Sequence, residues 1–251
     1  MSDAPRVTAA VLLIGNEILS GRTQDTNLAY LAKTLNEYGV QIREARVVPD
    51  VEADIVTAVN ALRVRYDYVF TTGGIGPTHD DITADCIAAA FGVDLVISPE
   101  IAELINRRPA APDIMAARMR MARIPRGGGL IENPLGPPGF YIENVYVMAG
   151  IPRVMQQMIG SLAGKLRGGA SVRSRSITAY LSEGQIARGL GEIQDQYPLM
   201  DLGSYPFHRE DRYGTTLVMR GTDVQALDSM LVLVKQLIIG LGGEPVDEQT
   251  G

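Results

Sequence analysis

From Thr71 to Thr83 the chain reads Thr-Thr-Gly-Gly-Ile-Gly-Pro-Thr-His-Asp-Asp-Ile-Thr, a glycine-rich stretch that ends in two adjacent carboxylates. The apolar run Tyr68–Phe70 precedes it, and a helix-like segment, Ala84 to Phe91, follows. Glycines between a strand and a helix let the backbone approach a ligand closely and turn its N–H groups inward. The start of the next helix adds partial positive charge, so the loop suits a phosphate or pyrophosphate. Thr72, Gly73, Gly74, Gly76, Pro77 and Thr78 are the candidates to hold it. Asp80 and Asp81 would repel a bare phosphate and make sense when a divalent cation bridges protein and ligand. The competing explanation is a tight turn in which Asp80 or Asp81 caps the following helix. No Lys-Ser or Lys-Thr follows the glycines, so the loop is not a Walker A loop, and its spacing is not the dinucleotide fingerprint.

The elements around this loop predict a single site. Val7 to Ile14 is apolar on both faces, as a buried strand of a parallel sheet requires, and it ends at Gly15–Asn16–Glu17. A polar loop runs to Asp25–Thr26–Asn27, after which Leu28, Leu31 and Leu35 mark a helix that stops at Gly39. A strand from Val40 to Val48 ends at Pro49–Asp50, and Ile55, Val59 and Leu62 mark the next helix. A third strand, Asp67 to Thr72, delivers the glycine loop. This alternation predicts a doubly wound, mostly parallel α/β sheet, in which ligands gather at the carboxyl ends of the strands. Asn16/Glu17, Asp50 and Gly73–Asp81 all fall at such ends. Asp80 and Asp81 are the expected catalytic and metal-binding acids, with Asp50 at a neighbouring strand end of the same site. Glu17 and Asp25 are candidate general bases, Asn27 ties or caps its loop, and His79 lies within the glycine segment.

Further along, the Arg-, Met- and Pro-rich stretch from Asn106 to Gly129 contains a predicted helix, Asp113 to Ala122, that covers the site or an interface. Asn133–Gly139, with Asn133, Gly136 and Gly139, is a second candidate for close ligand approach, and Phe140–Met148 predicts a hairpin turning at Glu143–Asn144. A linker at Gly164–Ser171 divides a domain at 1–168 from a small α+β domain at 169–251. The latter is expected as strand Ser174–Leu181, helix Glu183–Gln196, strands Leu202–Tyr205 and Tyr213–Arg220, and helix Asp223–Leu241. Ser204–His208 reads as a loop, and the basic Val172–Arg175 as solvated linker.

Composition narrows the chemistry. A net charge of −6 with only Lys33, Lys165 and Lys235 as lysines speaks against a nucleic-acid surface. The single cysteine, Cys86, excludes an internal disulfide and a Cys-rich zinc site, and it falls on an apolar helix face. His79 and His208 are too few for a histidine zinc centre, so a hard ion, Mg2+ or Mn2+, is expected. Without a signal segment or a membrane span in the sequence, the expected location is the cytoplasm.

Gly73–Thr83 closely resembles the signature of the MoaB/Mog molybdopterin-binding domain. The branch it most resembles is the N-terminal domain of competence/damage-inducible protein A, shared with eukaryotic FAD synthase. Gly15–Gly21, Asp25–Asn27, Val48–Asp50, Asn133–Gly139 and Gly203–Pro206 carry the same resemblance, which spans nearly the whole chain. It implies a magnesium ion held by Asp50 and Asp81, with either molybdopterin adenylylation or metal-dependent cleavage (Mg2+, Mn2+ or Co2+) of ADP-ribose- or FAD-like dinucleotides. The implied partner is a small nucleotide or pterin phosphate, with molybdopterin itself as a ligand, and the implied assembly is a dimer or trimer. One departure stands out. The family has Pro-Gly-Val-Pro-x-Glu-Met where this chain has Ala149–Met155, so a carboxylate is missing at Val154 and a cation, Arg153, stands beside its place. Arg153 is then a candidate phosphate contact, and a non-catalytic nucleotide-binding module is the third expectation.

Overall fold

The computed structural model describes residues 6–209 and 212–247. One compact unit ends at Ala170 and a second begins at Ser171.

The first unit comprises β1 (Val7–Ile14), α1 (Asn16–Leu19), α2 (Asn27–Glu37), β2 (Val40–Val48), α3 (Glu52–Arg63), β3 (Tyr68–Thr72) and α4 (Thr83–Phe91). Then follow β4 (Leu95–Ile97), α5 (Pro99–Asn106), α6 (Pro112–Met119), β5 (Arg123–Pro125), β6 (Gly129–Ile131), β7 (Gly139–Ile142), β8 (Val145–Met148) and α7 (Pro152–Gly160). Six strands form one sheet in the order β2-β1-β3-β8-β7-β6. The four from β2 to β8 run parallel, and β7 and β6 add antiparallel partners.

Strand β1 shows why the sheet is wound on both sides. Ala10, Leu12 and Ile14 pack with Ile55, Val59, Leu62 and Ile87 from α3 and α4. The alternate residues Val7, Ala9, Val11 and Leu13 pack with Leu31, Leu35, Met155 and Ile159 from α2 and α7. Successive side chains of a strand point to opposite faces, so an all-apolar strand requires a helical layer on each side. Burying one such Leu or Ile contributes about 1.5–3 kcal/mol, which anchors the strand ends that carry the polar loops.

Several expectations need correction. The polar stretch after β1 contains one helical turn, α1. The predicted helix Asp113–Ala122 is α6 followed by a separate 3-10 turn at Arg120–Ala122. The linker at Gly164–Ser171 is largely fastened to the first unit: Gly169 N–H donates to the Gly39 carbonyl at 2.8 Å, and Arg167 pairs with Asp67 at 2.7 Å. The hairpin of β7 and β8 turns at Glu143–Asn144, with Glu143 at φ 49°.

The second unit comprises β9 (Arg173–Ala179), α8 (Glu183–Gln196), β10 (Asp201–Arg209), β11 (Arg212–Gly221), α9 (Val224–Gly240) and β12 (Val246–Asp247), with strand order β10-β11-β9-β12. Ile177, Leu217 and Met219 pack with Ile186, Leu227, Met230 and Val234, so both helices cover one face of this sheet. Ser204–His208 is not a loop but the middle of β10. Pro206 is tolerated there because β10 is an edge strand, where a missing N–H need not break the ladder. Arg173–Arg175 is likewise strand rather than linker, and Arg175 pairs with Asp228 at 2.9 Å.

Among the described residues no helix is long and apolar enough to cross a membrane. Cys86 is fully buried on α4, and its thiol is pushed up to about 12, first by burial and then by the charges of Glu52 and Asp85. The thiolate is the reactive form, so the folded protein should resist a maleimide at pH 8 and be labelled within minutes in guanidinium. Rapid labelling of the native protein would contradict the buried placement.

Candidate functional site

Strand β3 ends at the buried Thr71 and Thr72, and the chain then turns through Gly73 at φ 108° and Gly74 at φ 66°. A Cβ on Gly73 would lie 2.1 Å from the Ile14 carbonyl oxygen, and one on Gly74 would lie 2.2 Å from Thr83 Oγ1. Only glycine fits both backbone and space here. Thr83, the first residue of α4, fixes the two glycine carbonyls: its Oγ1 donates to Gly73 O at 2.9 Å and its N–H to Gly74 O at 3.0 Å. The Gly73 N–H is itself used, donating to Met148 O at 3.2 Å. Gly73 is therefore a structural pivot, not the phosphate donor expected from sequence. Among the described residues the N–H groups of Gly74, Ile75 and Gly76 have no hydrogen-bond acceptor, and these three residues line a cavity of about 580 Å³.

Neither Asp80 nor Asp81 caps α4. Its N-cap is Ile82, without a side-chain cap. Asp81 Oδ2 instead accepts from the Thr78 N–H at 2.8 Å and from the Thr78 hydroxyl, which sets the Asp81 carboxylate beside Gly76 in the cavity wall. Asp80 turns outward with its side chain 64% exposed, 3.9 Å from the 97% exposed His79. Thr78, ahead of Asp80's own backbone N–H, holds its carboxyl below the usual aspartate value. Neither Asp80 nor His79 lines the cavity.

Asp50 does not line it either. Its Oδ2 accepts from the Asn16 N–H at 2.9 Å, while Gly15 N–H donates to Val48 O at 3.1 Å. Asp50 thus starts α1, and α1 carries Glu17 into the cavity wall. Among the described residues no three Asp, Glu, His or Cys side chains come together as a ready metal cage. Of Asp50, Asp80 and Asp81 only Asp81 lines the cavity, and Glu17 is the other carboxylate there.

Asp25 is spent on α2, its two oxygens accepting from the N–H groups of Asn27 at 3.1 Å and Leu28 at 3.0 Å. Asn27, 5% exposed, ties α2 to the far side of the site by donating to Gly150 O at 2.8 Å. Its buried Oδ1 has no partner among the described residues and sits in a small recess that Thr72 and Glu17 also line. Asn133 closes its own loop, accepting from Leu135 N–H at 3.0 Å and donating to Pro137 O at 2.9 Å. Asn133, Gly136 and Pro137 line the cavity together with Pro77. Gly139 does not. It lies in β7, where a Cβ would meet the Val147 carbonyl at 2.4 Å. Arg153 is exposed on α7 and does not line the cavity, although its neighbours Pro152 and Val154 do.

Two charged cavity residues had not been singled out from sequence: Arg120, in the 3-10 turn after α6, and Arg123, at the start of β5. Arg123 is neutralised by a two-bond pair with Asp85, at 3.0 and 2.8 Å. Arg120 donates from Nη2 to the Asp81 carbonyl at 3.3 Å, and its buried Nε has no partner among the described residues. Leaving a buried donor unsatisfied costs about 1–3 kcal/mol. The signal available in sequence was the run of arginines at 118, 120, 123 and 126, too common a pattern to separate surface from site. The remaining walls are apolar, including Ile75, Met121, Phe140 and Met158.

The family profile described as "Probable molybdopterin binding domain" matches residues 10–168. The chain belongs to that family. A second profile, "FAD synthase, middle domain", matches residues 171–239. A protein of Archaeoglobus fulgidus is 33% identical over 78% of this chain and 84% of its own length. The probable FAD synthase of Caenorhabditis elegans is 29% identical over 94% of this chain but only 50% of its own. The crystal structure of CinA from Thermoplasma acidophilum superimposes with a TM-score of 0.58 at 32% identity, covering 64% of this chain and 99% of that one. The fold is thus the molybdopterin-binding-domain α/β fold joined to a smaller unit with an antiparallel sheet.

Proposed function

We propose that the chain is a divalent-metal-dependent hydrolase of the phosphoanhydride bond in ADP-ribose- or FAD-like dinucleotides. The observation that carries this reading is the row of unpaired N–H groups at Gly74–Gly76 beside Asp81, opening on an apolar-walled cavity of about 580 Å³. A lone phosphate needs no such walls, whereas a nucleoside diphosphate fills a volume of this order.

The donor set fits a hard cation that is completed by the ligand. Glu17 and Asp81 offer carboxylate oxygens at the cavity, and among the described residues no His or Cys lines it. Magnesium is commonly bound by one or two carboxylates together with substrate phosphates. Asp81, together with oxygens of the ligand's phosphates, would hold Mg2+, Mn2+ or Co2+, and the ion would supply neutralisation of developing phosphoryl charge. The chain's own residues do the rest. The Gly74–Gly76 N–H groups and the start of α4 hold the anion and the charge that builds on the leaving phosphate. Asp50 fixes α1 so that the Glu17 carboxylate stands in the wall. There it takes a proton from the water whose oxygen bonds to phosphorus as the bridging P–O bond breaks. Asp25 cannot serve as the base, since both its oxygens cap α2.

A second reading, binding or adenylylation of molybdopterin, is favoured by the description of the domain profile matched at 10–168. In either case the partner is a small phosphate-bearing molecule. The test is AMP release from ADP-ribose and FAD in Mg2+, Mn2+ or Co2+. Metal-dependent release is the expected result. ATP turnover dependent on a pterin phosphate, with no AMP from the dinucleotides, would select the second reading. Tight ADP binding with no turnover of either kind would select a silent binding module.

A further inference from the structure

We propose that Arg120 is a second phosphate-binding group of this cavity, so that the site takes a diphosphate in preference to a monophosphate. The inference rests on the glycine loop as a phosphate cradle, not on hydrolysis. A guanidinium carries five N–H donors in a planar fork. Among the described residues Arg120 spends one on a protein acceptor, the Asp81 carbonyl, and has no carboxylate within ion-pair distance. Its Nε is shut off from solvent without a partner. Arg123, one turn further on, shows the contrast: its fork is filled by Asp85. A half-buried guanidinium without a carboxylate partner, its Nε shut off from solvent, is relieved by an anionic oxygen, and the fork geometry matches a pair of phosphate oxygens. The three free N–H groups of Gly74–Gly76 match the oxygens of one phosphoryl group, which leaves the guanidinium for its neighbour. The bond to the Asp81 carbonyl keeps the guanidinium beside the same loop.

The test is calorimetric titration of the whole protein with ADP and with AMP, in magnesium and in EDTA, comparing wild type with Arg120→Gln and Arg120→Lys. Arg120→Gln should weaken ADP binding by about 10- to 100-fold while changing AMP binding less than about 3-fold, the scale of one lost charge-assisted contact. Arg120→Lys, which keeps the charge but not the fork, should recover part of the loss. Equal weakening of ADP and AMP would overturn the inference and make Arg120 a brace for the Asp81 loop. Unchanged ADP affinity, or a wild type that binds ADP no better than AMP, would overturn it too. Melting curves check the fold. If Arg120→Gln melts early, Arg120→Met, apolar and of similar length, is judged by the same comparison. An Arg120-dependent preference for ADP without AMP release from dinucleotides would leave this inference standing and remove only the hydrolysis.

Discussion

Asp81→Asn is expected to lower metal-dependent AMP release by roughly 10³-fold, several kcal/mol of transition-state stabilisation. Asparagine keeps an oxygen that can accept from the Thr78 N–H, now at 2.8 Å from Asp81 Oδ2, so the loop should hold its shape. What it loses is the negative charge at the cavity wall. Asp81→Ala removes both charge and loop tie, and it should lose ADP binding as well as turnover. The pair of variants separates two jobs of one residue. If Asp81→Asn retained wild-type turnover, the charge would have no part in the chemistry, and Glu17 would be the next acid to test. Asp80→Asn is the control. Its side chain is exposed and outside the cavity, so activity should stay within about 2-fold, as for most surface substitutions.

Gly73→Ala is expected to destabilise the first unit by about 3 kcal/mol or more and to abolish ligand binding. The backbone at φ 108° is not one that alanine adopts without strain, and the new methyl group would meet the Ile14 carbonyl at 2.1 Å. Ile14 is the last residue of β1, so relief of the clash must pull apart β1 and β3 at the ends that carry Glu17 and the glycine loop. For a unit of this size the loss corresponds to a melting temperature lower by about 6–12 °C. Gly21→Ala provides the comparison. Gly21 also has positive φ, at 72°, but nothing lies within 4 Å of its Cβ position, so it should cost only about 1 kcal/mol. Equal melting temperatures for the two variants would show that strain, not contact, sets the cost at Gly73.

The sheet was legible because its strands are extreme. Val7–Ile14 has no polar residue apart from Thr8, and a segment of that kind has few places to go except the middle of a two-sided layer. The helices of the first half announced themselves through Leu31, Leu35, Ile55 and Val59 at helical spacing. The short ribbon of β4 and β5 and the helix α5 were not read, because three-residue strands beside prolines carry too little periodicity. Pro206 misled in the other direction: proline reads as a turn until the strand that holds it is known to lie at an edge.

The site was legible in its backbone and not in its acids. The glycine spacing located the loop, but two aspartates adjacent in sequence do not share a direction, and one hydrogen-bonding threonine decided that Asp81 faces inward. Asp50 sits at a strand end like the others, yet its carboxylate is committed to the Asn16 N–H. Arg120 was invisible for a different reason. Its significance lies in a donor with no acceptor, and that is a property of packing rather than of residue type or spacing.

If the loop binds phosphate as proposed, the two bonds from Thr83 to the glycine carbonyls would shape the thermodynamics of binding as well as the loop itself. Peptide planes already locked by the following helix lose little freedom when a ligand arrives, so the gain from each new contact is not consumed in ordering the loop. Affinity then resides in the contacts themselves, and ligands that differ by one phosphate differ by nearly the full worth of that phosphate. Thr83→Val, close to isosteric but without the hydroxyl bond to Gly73, would return that freedom to the loop. Its signature would be a less favourable entropy of ADP binding at nearly unchanged enthalpy.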